Sequence, residues 1–186
     1  MAGTLWTIGH STHPWDTFVD LLHGAGVATL VDVRRFAGSR RHPQFGSEAM
    51  AHALPAAGVA YVAMPDLGGR RPPRPDSRNT AWRNASFRGY ADWMAEAPYA
   101  RARDRLAALA TAASTAVMCA EALWWQCHRA LVSDDFKARG WEVLHIGSGG
   151  RTSAHPYSGA ARIVDGRLDY SAPADAQPDL FTAPGG

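Results

Sequence analysis

Five short apolar segments alternate with stretches of helical periodicity, and this alternation limits the fold more than any other feature of the chain. The apolar segments lie at about residues 5–8, 29–33, 61–64, 116–118 and 142–146. Strands that alternate with helices form largely parallel sheets through right-handed crossovers, with helices on both faces. The sequence therefore predicts an α/β fold, a single-domain Rossmann-like three-layer sandwich with a mostly parallel sheet of about five strands.

The composition of the chain changes near residue 150. The 186 residues are 46% hydrophobic, which suffices for one packed domain, and we place it at 1–150. The extension, 151–186, is rich in Gly, Ser, Ala and Pro. Its Asp165-Gly166 pair predicts a small hairpin, and we expect the last dozen or so residues to be disordered.

Nothing in the sequence has the form of a membrane or export segment. No apolar run approaches the roughly 18 residues of a membrane span, and the N-terminus lacks a basic region followed by an apolar stretch. We therefore expect a cytoplasmic protein without a membrane partner. The oligomeric state is left open by the sequence.

Polar side chains follow the apolar segments at the points where the predicted strands end. In open α/β sheets, ligands bind in the crevice outside the carboxyl ends of the strands. Groups that could react fall at all five ends: His10, Asp32 with Arg34, Asp66, Cys119 with Glu121, and His145. The predicted site is therefore one edge of the sheet.

Both cysteines of the chain lie between residues 116 and 129. Cys119 and Glu121 end the fourth apolar segment, and Cys127, His128 and Arg129 open the helix predicted after it. Free cysteines often serve only as buried packing groups. Charged residues are seldom placed among them for packing alone, so this stretch predicts a cluster of reactive groups.

Hydrolytic acid–base chemistry is the leading hypothesis for this cluster. Glu121 and Asp32 could form a carboxylate pair in which one group activates water, as in the cleavage of glycosidic or N-glycosidic bonds. The other proposed catalytic groups, which stabilise charge or transfer protons, are His10, Arg34, His128 and Arg129. Ion pairs between each carboxylate and a nearby arginine would explain the same residues without catalysis.

Thiol or metal chemistry is the alternative hypothesis. Cys119 or Cys127 could act as a nucleophile, and a helix N-terminus favours the thiolate form. Cys119, Cys127 and His128 could instead bind zinc or iron, with Glu121 or a residue from elsewhere as a further ligand. We expect no metal or other cofactor under the leading hypothesis, and zinc or iron under this one.

Arginine is concentrated between residues 34 and 103. This segment holds twelve arginines and five acidic residues, a net charge of +7, whereas the whole chain carries +2. Cationic groups attract phosphates, and aromatic faces stack on bases, although aromatic residues can also simply anchor a loop. The predicted substrate-binding residues are Ser11, Arg34, Arg40, Arg41, Gly69, Arg70, Trp82, Arg83, Phe87 and Tyr90. The partner expected from them is nucleic acid or a nucleotide, with a small anionic metabolite left open.

The chain contains six short motifs that can be compared with those of known families. They are Thr7-Ile8-Gly9-His10-Ser11, Val31-Asp32-Val33-Arg34, Pro43-Gln44-Phe45, Leu67-Gly68-Gly69, Phe87-Arg88-Gly89-Tyr90, and Met118-Cys119-Ala120-Glu121 with Cys127-His128-Arg129. Together they resemble the bacterial domain of unknown function 488 family over about residues 5–146. The resemblance implies a compact α/β domain without a settled activity. It implies the same site residues as the strand-end argument, although Thr12 stands where many members have Asn.

The sequence therefore predicts an enzyme, a hydrolase that acts on nucleic acid or nucleotides. Cleavage of an N-glycosidic bond in a flipped nucleotide is one concrete form of this activity. The alternatives are a thiol- or metal-centred enzyme that uses Cys119, Cys127 and His128, and a non-catalytic nucleic-acid-binding module.

Overall fold

The computed structural model describes residues 2–38 and 40–173, and its main element is a six-stranded sheet in the order β3-β2-β4-β1-β5-β6. The strands are β1 (Thr4–Gly9), β2 (Thr29–Asp32), β3 (Ala60–Ala63), β4 (Thr115–Cys119), β5 (Glu142–Ile146) and β6 (Thr152–Ala154). The first five run parallel, and β6 pairs antiparallel with β5. The predicted α/β class and mostly parallel sheet are confirmed, with β6 as an additional edge strand.

Helices cover both faces of the sheet, which gives the predicted three layers. They are α1 (Trp15–Gly24), α2 (Ser47–Ala56), α3 (Ala85–Trp93), α4 (Ala97–Ala112) and α5 (Arg129–Ala138). Successive residues of a strand point to opposite faces. In β2, Leu30 joins a core cluster with residues of α1 and α2, whereas Val31 joins a cluster with residues of α3, α4 and α5.

The irregular segment between residues 67 and 84 is held against α3 by a buried carboxylate. Asp92 accepts hydrogen bonds from the backbone N–H of Arg74 (2.8 Å), the hydroxyl of Ser77 (2.6 Å) and the amide of Asn79 (2.8 Å). A Cβ atom at Gly89 would lie 2.0 Å from the carbonyl oxygen of Arg71, so this loop approaches the helix too closely for any other residue. These contacts therefore fix the conformation of the loop against α3.

The segment after residue 150 packs onto the sheet domain. Its strands β7 (Arg162–Val164) and β8 (Arg167–Asp169) form an antiparallel hairpin, and both turn residues, Asp165 and Gly166, have positive φ. Buried Tyr170 follows the hairpin. The disorder expected for the tail concerns residues that lie outside those the structure describes. Within the described ranges, no helix is both long enough and apolar enough to cross a membrane.

Candidate functional site

The site forms where the chain after β4 folds across the end of β1. Gly9 is paired with Cys119, and beyond the strands the N–H groups of His10 and Ser11 donate to the carbonyls of Cys119 (3.0 Å) and Ala120 (2.9 Å). A Cβ atom at Gly9 would lie 1.8 Å from the carbonyl oxygen of Glu121. Only glycine permits this approach, which brings the chain after Cys119 across the end of β1.

The two cysteines meet at the centre of the site. The Sγ atoms of Cys119 and Cys127 lie 3.0 Å apart, and both side chains are buried, free thiols. Cys119 is the last residue of β4, and Cys127 lies between a 3-10 turn, Trp124–Gln126, and α5. The nine residues between β4 and α5 thus form a loop that places the second thiol beside the first.

Arg129 is the charged residue that hydrogen-bonds to the thiol pair. Its side chain is 1% exposed, and both its backbone N–H and its Nε–H donate to Cys127 Sγ at 3.4 Å. Its Nη atoms donate to the carbonyl oxygens of Glu121 and Ala122 and to Thr7 Oγ1. Among the described residues, no carboxylate forms an ion pair with Arg129. A buried guanidinium needs a counter-charge, and Cys127 is the hydrogen-bonded side chain that can supply one.

The two thiols differ in how readily they ionise. Burial opposes ionisation of Cys127, but the hydrogen bond from Cys119 and the charge of Arg129 outweigh it and lower the Cys127 pKa. Burial and the neighbouring Cys127 sulfur raise the pKa of Cys119 well above its usual value. Cys127 is therefore the thiol of the pair that ionises more readily, with Cys119 as the hydrogen-bond donor to its sulfur.

A cavity of about 210 Å³ opens onto this pair. The predicted site residues on its wall are Arg34, Gly69, Arg70, Phe87, Cys119, Glu121, Cys127 and His128. Sequence reasoning missed Arg35, Phe36, Ser86, Ala120 and Gln126, which also line it. The strand-end rule would have found Arg35 and Phe36, because they directly follow Arg34 after β2.

Asp32 is bound to Arg34 and Tyr61 rather than paired with Glu121. Arg34 donates from Nε and Nη2 to the two carboxylate oxygens (2.8 and 2.7 Å), and the Tyr61 hydroxyl donates to Oδ2 at 2.8 Å. Asp32 is 1% exposed, whereas Glu121 is exposed on the cavity wall. The structure therefore gives Asp32 a structural ion pair and leaves Glu121 as the accessible carboxylate.

The two predicted catalytic histidines are neutral hydrogen-bonding groups. Burial lowers the pKa of His10 and of His128 to about 4 in each case. His10 stacks on Phe45 at 4.3 Å and accepts a hydrogen bond from Arg34 at Nε2. His128 donates from Nε2 to the carbonyl of Val33, which leaves its Nδ1 as an acceptor on the cavity side, beside Gly69.

Several predicted substrate-binding residues lie away from the cavity wall. Tyr90 is fully buried and donates to the carbonyl of Leu67, so its ring belongs to the core. Trp82 packs against Phe87 and Tyr170. The remaining ones are the exposed Arg40, Arg41 and Arg83 and the partly exposed Ser11. Aromatic packing explains Tyr90 and Trp82, whereas Phe87 keeps a face towards the cavity.

One group of side chains has the geometry to hold a metal ion. The sulfurs of Cys119 and Cys127 and a carboxylate oxygen of Glu121 all lie within 4.8 Å of one another. Two thiolates and a carboxylate fit a zinc ion with one open position. Of the ligands considered from the sequence, Cys119, Cys127 and Glu121 belong to this group, and His128 does not.

Sequence reasoning singled out His145 but missed the buried chain of hydrogen bonds to which it belongs, beneath the site. Thr7 Oγ1 is 2.6 Å from His145 Nδ1, His145 Nε2 is 2.9 Å from His155 Nδ1, and His155 Nε2 is 2.9 Å from Asp134 Oδ1. Trp124 stacks on His145 at 4.8 Å. Burial and the neighbouring His155 lower the pKa of His145 to about 3, so its ring is neutral. Thr7 links this chain to the guanidinium beside the thiols.

Comparison with known proteins gives a family and no activity. No curated protein and no solved structure matches the chain. The family model described as domain of unknown function DUF488 matches residues 14–135, a range that contains Arg34, both cysteines, Glu121 and Arg129. Because the family model matches about two thirds of its length, the chain belongs to the DUF488 family.

Proposed function

We propose that this protein is an enzyme that uses the Cys127 thiolate as a nucleophile on an anionic substrate, a nucleic acid or a nucleotide. The observation that carries the proposal is the buried Arg129, whose hydrogen-bonded partner able to carry negative charge is Cys127. Thiolates stabilised by a neighbouring cation are the reactive form of cysteine in enzymes. A free thiol pair of this kind suits the reducing cytoplasm, which is the location that we propose.

This proposal departs from a mechanism based on two carboxylates. Four donor groups of Arg34 and Tyr61 hold Asp32, and little of its surface reaches solvent, so it is poorly placed to activate water. Glu121 keeps an acid–base role. We propose a hydrolase in which the Cys127 sulfur attacks the sugar carbon of an N-glycosidic bond while Glu121 protonates the departing base. Glu121 then takes a proton from the water that attacks the same carbon, which breaks the carbon–sulfur bond and releases the Cys127 thiolate.

Cationic groups at the cavity support the choice of an anionic substrate. Arg35 and Arg70 lie on its wall, and among the described residues neither makes an ion pair with a carboxylate. His128 is neutral and offers an acceptor at Nδ1, which suits a base or sugar donor better than a phosphate.

Alkylation kinetics test the thiolate directly. The fully reduced protein is treated with iodoacetamide over a range of pH, and peptide mass spectrometry measures the modification of each cysteine. Cys127 should react well below the pH at which ordinary thiols react, and Cys119 should lag behind it. Equal rates, or a Cys127 profile like that of a free cysteine, would contradict the proposal.

Turnover assays then test the catalytic roles of Cys127 and Glu121. With any nucleotide or oligonucleotide that the protein is found to convert, Cys127→Ser and Glu121→Gln should each lower kcat by at least about a hundredfold. Glu48→Gln, which removes a carboxylate from the first turn of α2, is the matched control and should keep full activity. An active Cys127→Ser variant would refute nucleophilic catalysis by this thiol.

A metal-centred enzyme is the second candidate, because the two sulfurs and the Glu121 carboxylate are close enough to share one ion. Elemental analysis of protein purified without chelators tests it. Near-stoichiometric zinc or iron, lost in a Cys119→Ser variant that still folds, would favour this candidate, and two free thiols without metal would favour the nucleophile.

A further inference from the structure

The mouth of the cavity carries an exposed aromatic ring between two arginines. Phe36 is 63% exposed, and the guanidinium carbons of Arg35 and Arg70 lie 5.4 and 5.9 Å from its ring centroid. A large apolar side chain that solvent reaches this fully contributes little to folding. A ring flanked by cations offers the two contacts that a nucleotide needs, a face for the base and charges for the phosphates.

The backbone holds these three residues in place. A Cβ atom at Gly68 would lie 2.6 Å from the backbone nitrogen of Arg35, so the loop that carries Arg70 is pressed against the chain before Phe36. Arg35 also donates from Nη1 to the carbonyl of Arg70. Arg70 has φ +60°, a strained conformation for a residue with a side chain, and such strain is concentrated at functional sites.

A second cavity adjoins the first through Arg35. It has a volume of about 330 Å³, and its wall also includes Arg71 and Trp93, together with Arg74 and two acidic residues that bind it, Asp92 and Glu96. Arg71 lies over the Trp93 ring at 3.8 Å, and in the part of the chain that the structure describes its side chain donates to the backbone carbonyls of Gly68 and Pro65. Burial and the charge of Arg35 lower the Arg71 pKa, so these guanidinium groups repel each other in the absence of an anion. The cationic surface therefore continues beyond the space of one nucleotide.

We propose that this surface binds a segment of single-stranded nucleic acid, with one base stacked on Phe36 and successive phosphates at Arg70, Arg35 and Arg71. The inference rests on the proposed function for its placement, because it leads the strand into the cavity at Cys127. It names the substrate class as a single strand rather than a mononucleotide. A duplex would keep its bases stacked on each other and unavailable to Phe36.

Fluorescence anisotropy with a labelled oligothymidylate of about ten nucleotides tests this inference. The wild-type protein, kept reduced, should bind the single strand more tightly than a duplex of the same length and much more tightly than thymidine monophosphate. Phe36→Ala should weaken binding about tenfold. Arg71→Ala should weaken it and reduce the salt dependence by about one phosphate contact. Equal affinity for the mononucleotide and the oligonucleotide would overturn the proposal.

Control variants separate stacking from other contacts. Phe36→Trp should retain binding and Phe36→Leu should not, since only the first keeps an aromatic face. If Phe36→Leu binds as well as wild type, the ring is not a stacking platform and an apolar protein partner fits better. Ile163→Ala, at another exposed apolar residue, and Arg78→Ala, on the same loop as Arg71 but on neither cavity wall, should leave binding unchanged.

The single-strand proposal and the thiolate proposal can be rejected independently of each other. The anisotropy experiment needs no turnover, so an unreactive Cys127 would leave it intact. Conversely, loss of oligonucleotide binding with a normal alkylation profile would reject the single-strand surface alone.

Discussion

Removal of Cys127 should destabilise the protein more than removal of Cys119. Cys127→Ala leaves the buried guanidinium of Arg129 without its counter-charge, and breaking a buried pair in this way costs about 3–5 kcal/mol. Cys119→Ala removes one hydrogen bond to the Cys127 sulfur, which is worth about 2 kcal/mol when the acceptor is charged. We expect a difference of about 2 kcal/mol in the free energy of unfolding.

The difference in unfolding free energy between the Cys119→Ala and Cys127→Ala variants should also depend on pH. Because the folded pKa of Cys127 is lowered, the unfolded chain binds more protons than the folded one between the two pKa values. The stabilisation by the thiolate is therefore complete above the unfolded value of about 8.5 and is lost as the pH falls through the folded value. Each unit of separation between the two is worth about 1.4 kcal/mol.

Urea unfolding under reducing conditions measures this effect. The free energies of wild type, Cys119→Ala, Cys127→Ala and Cys127→Ser are compared at about pH 6 and about pH 8.5. Cys127→Ser should resemble Cys127→Ala, because a hydroxyl does not ionise in this range. If the two cysteine-to-alanine variants lose equal stability, or if their difference does not grow with pH, Cys127 is not the counter-ion of Arg129.

Further predictions concern the buried polar groups and the tight turn around the thiols. Gly9→Ala should destabilise the fold by about 3 kcal/mol through collision with the Glu121 carbonyl, whereas Gly24→Ala, which meets nothing within 4 Å, should leave the urea midpoint unchanged or raise it. Asp134→Asn, in the buried chain, should cost about 3 kcal/mol in the same assay, because four hydrogen bonds converge on this carboxylate. Between about pH 6.5 and pH 4, the free energy of unfolding should fall by up to about 3 kcal/mol for each histidine that stays neutral when folded and is protonated when unfolded, and a flat profile would contradict this. These histidines are His10, His128 and His145.

The parallel sheet could be predicted from sequence because its central strands are buried on both faces and are therefore largely apolar. β4 is buried at every position, and so is β2. β6 has no such signal, since its three residues, Thr152–Ala154, are all exposed. It joins the sheet because the free edge of β5 offers backbone partners, and that interaction depends on the folded sheet rather than on local sequence.

The sequence indicated which residues gather at this edge of the sheet but not how they pair. Of the residues that the strand-end rule selected, Cys119, Glu121 and Arg34 lie on the cavity wall, whereas His10 and His145 do not. The rule could not show that Tyr61, from the neighbouring strand β3, would share Asp32 with Arg34, because this depends on which strands are adjacent in the sheet. The same limit applies to aromatic residues, whose periodicity in the sequence does not distinguish a ring in the core from one at a cavity.

The buried chain beneath the site explains how Arg129 can be kept so close to a thiolate. The carboxylate of Asp134 accepts from His155 Nε2, and a neutral His155 ring then accepts from His145 at Nδ1. His145 then accepts at Nδ1 from the Thr7 hydroxyl, whose oxygen is left to accept from Arg129. Every hydrogen bond in the chain thus points away from the guanidinium, which gains an acceptor from Thr7 without a competing carboxylate. Cys127 is consequently left as the hydrogen-bonded group that can balance the positive charge of Arg129, where the proposed chemistry needs a thiolate.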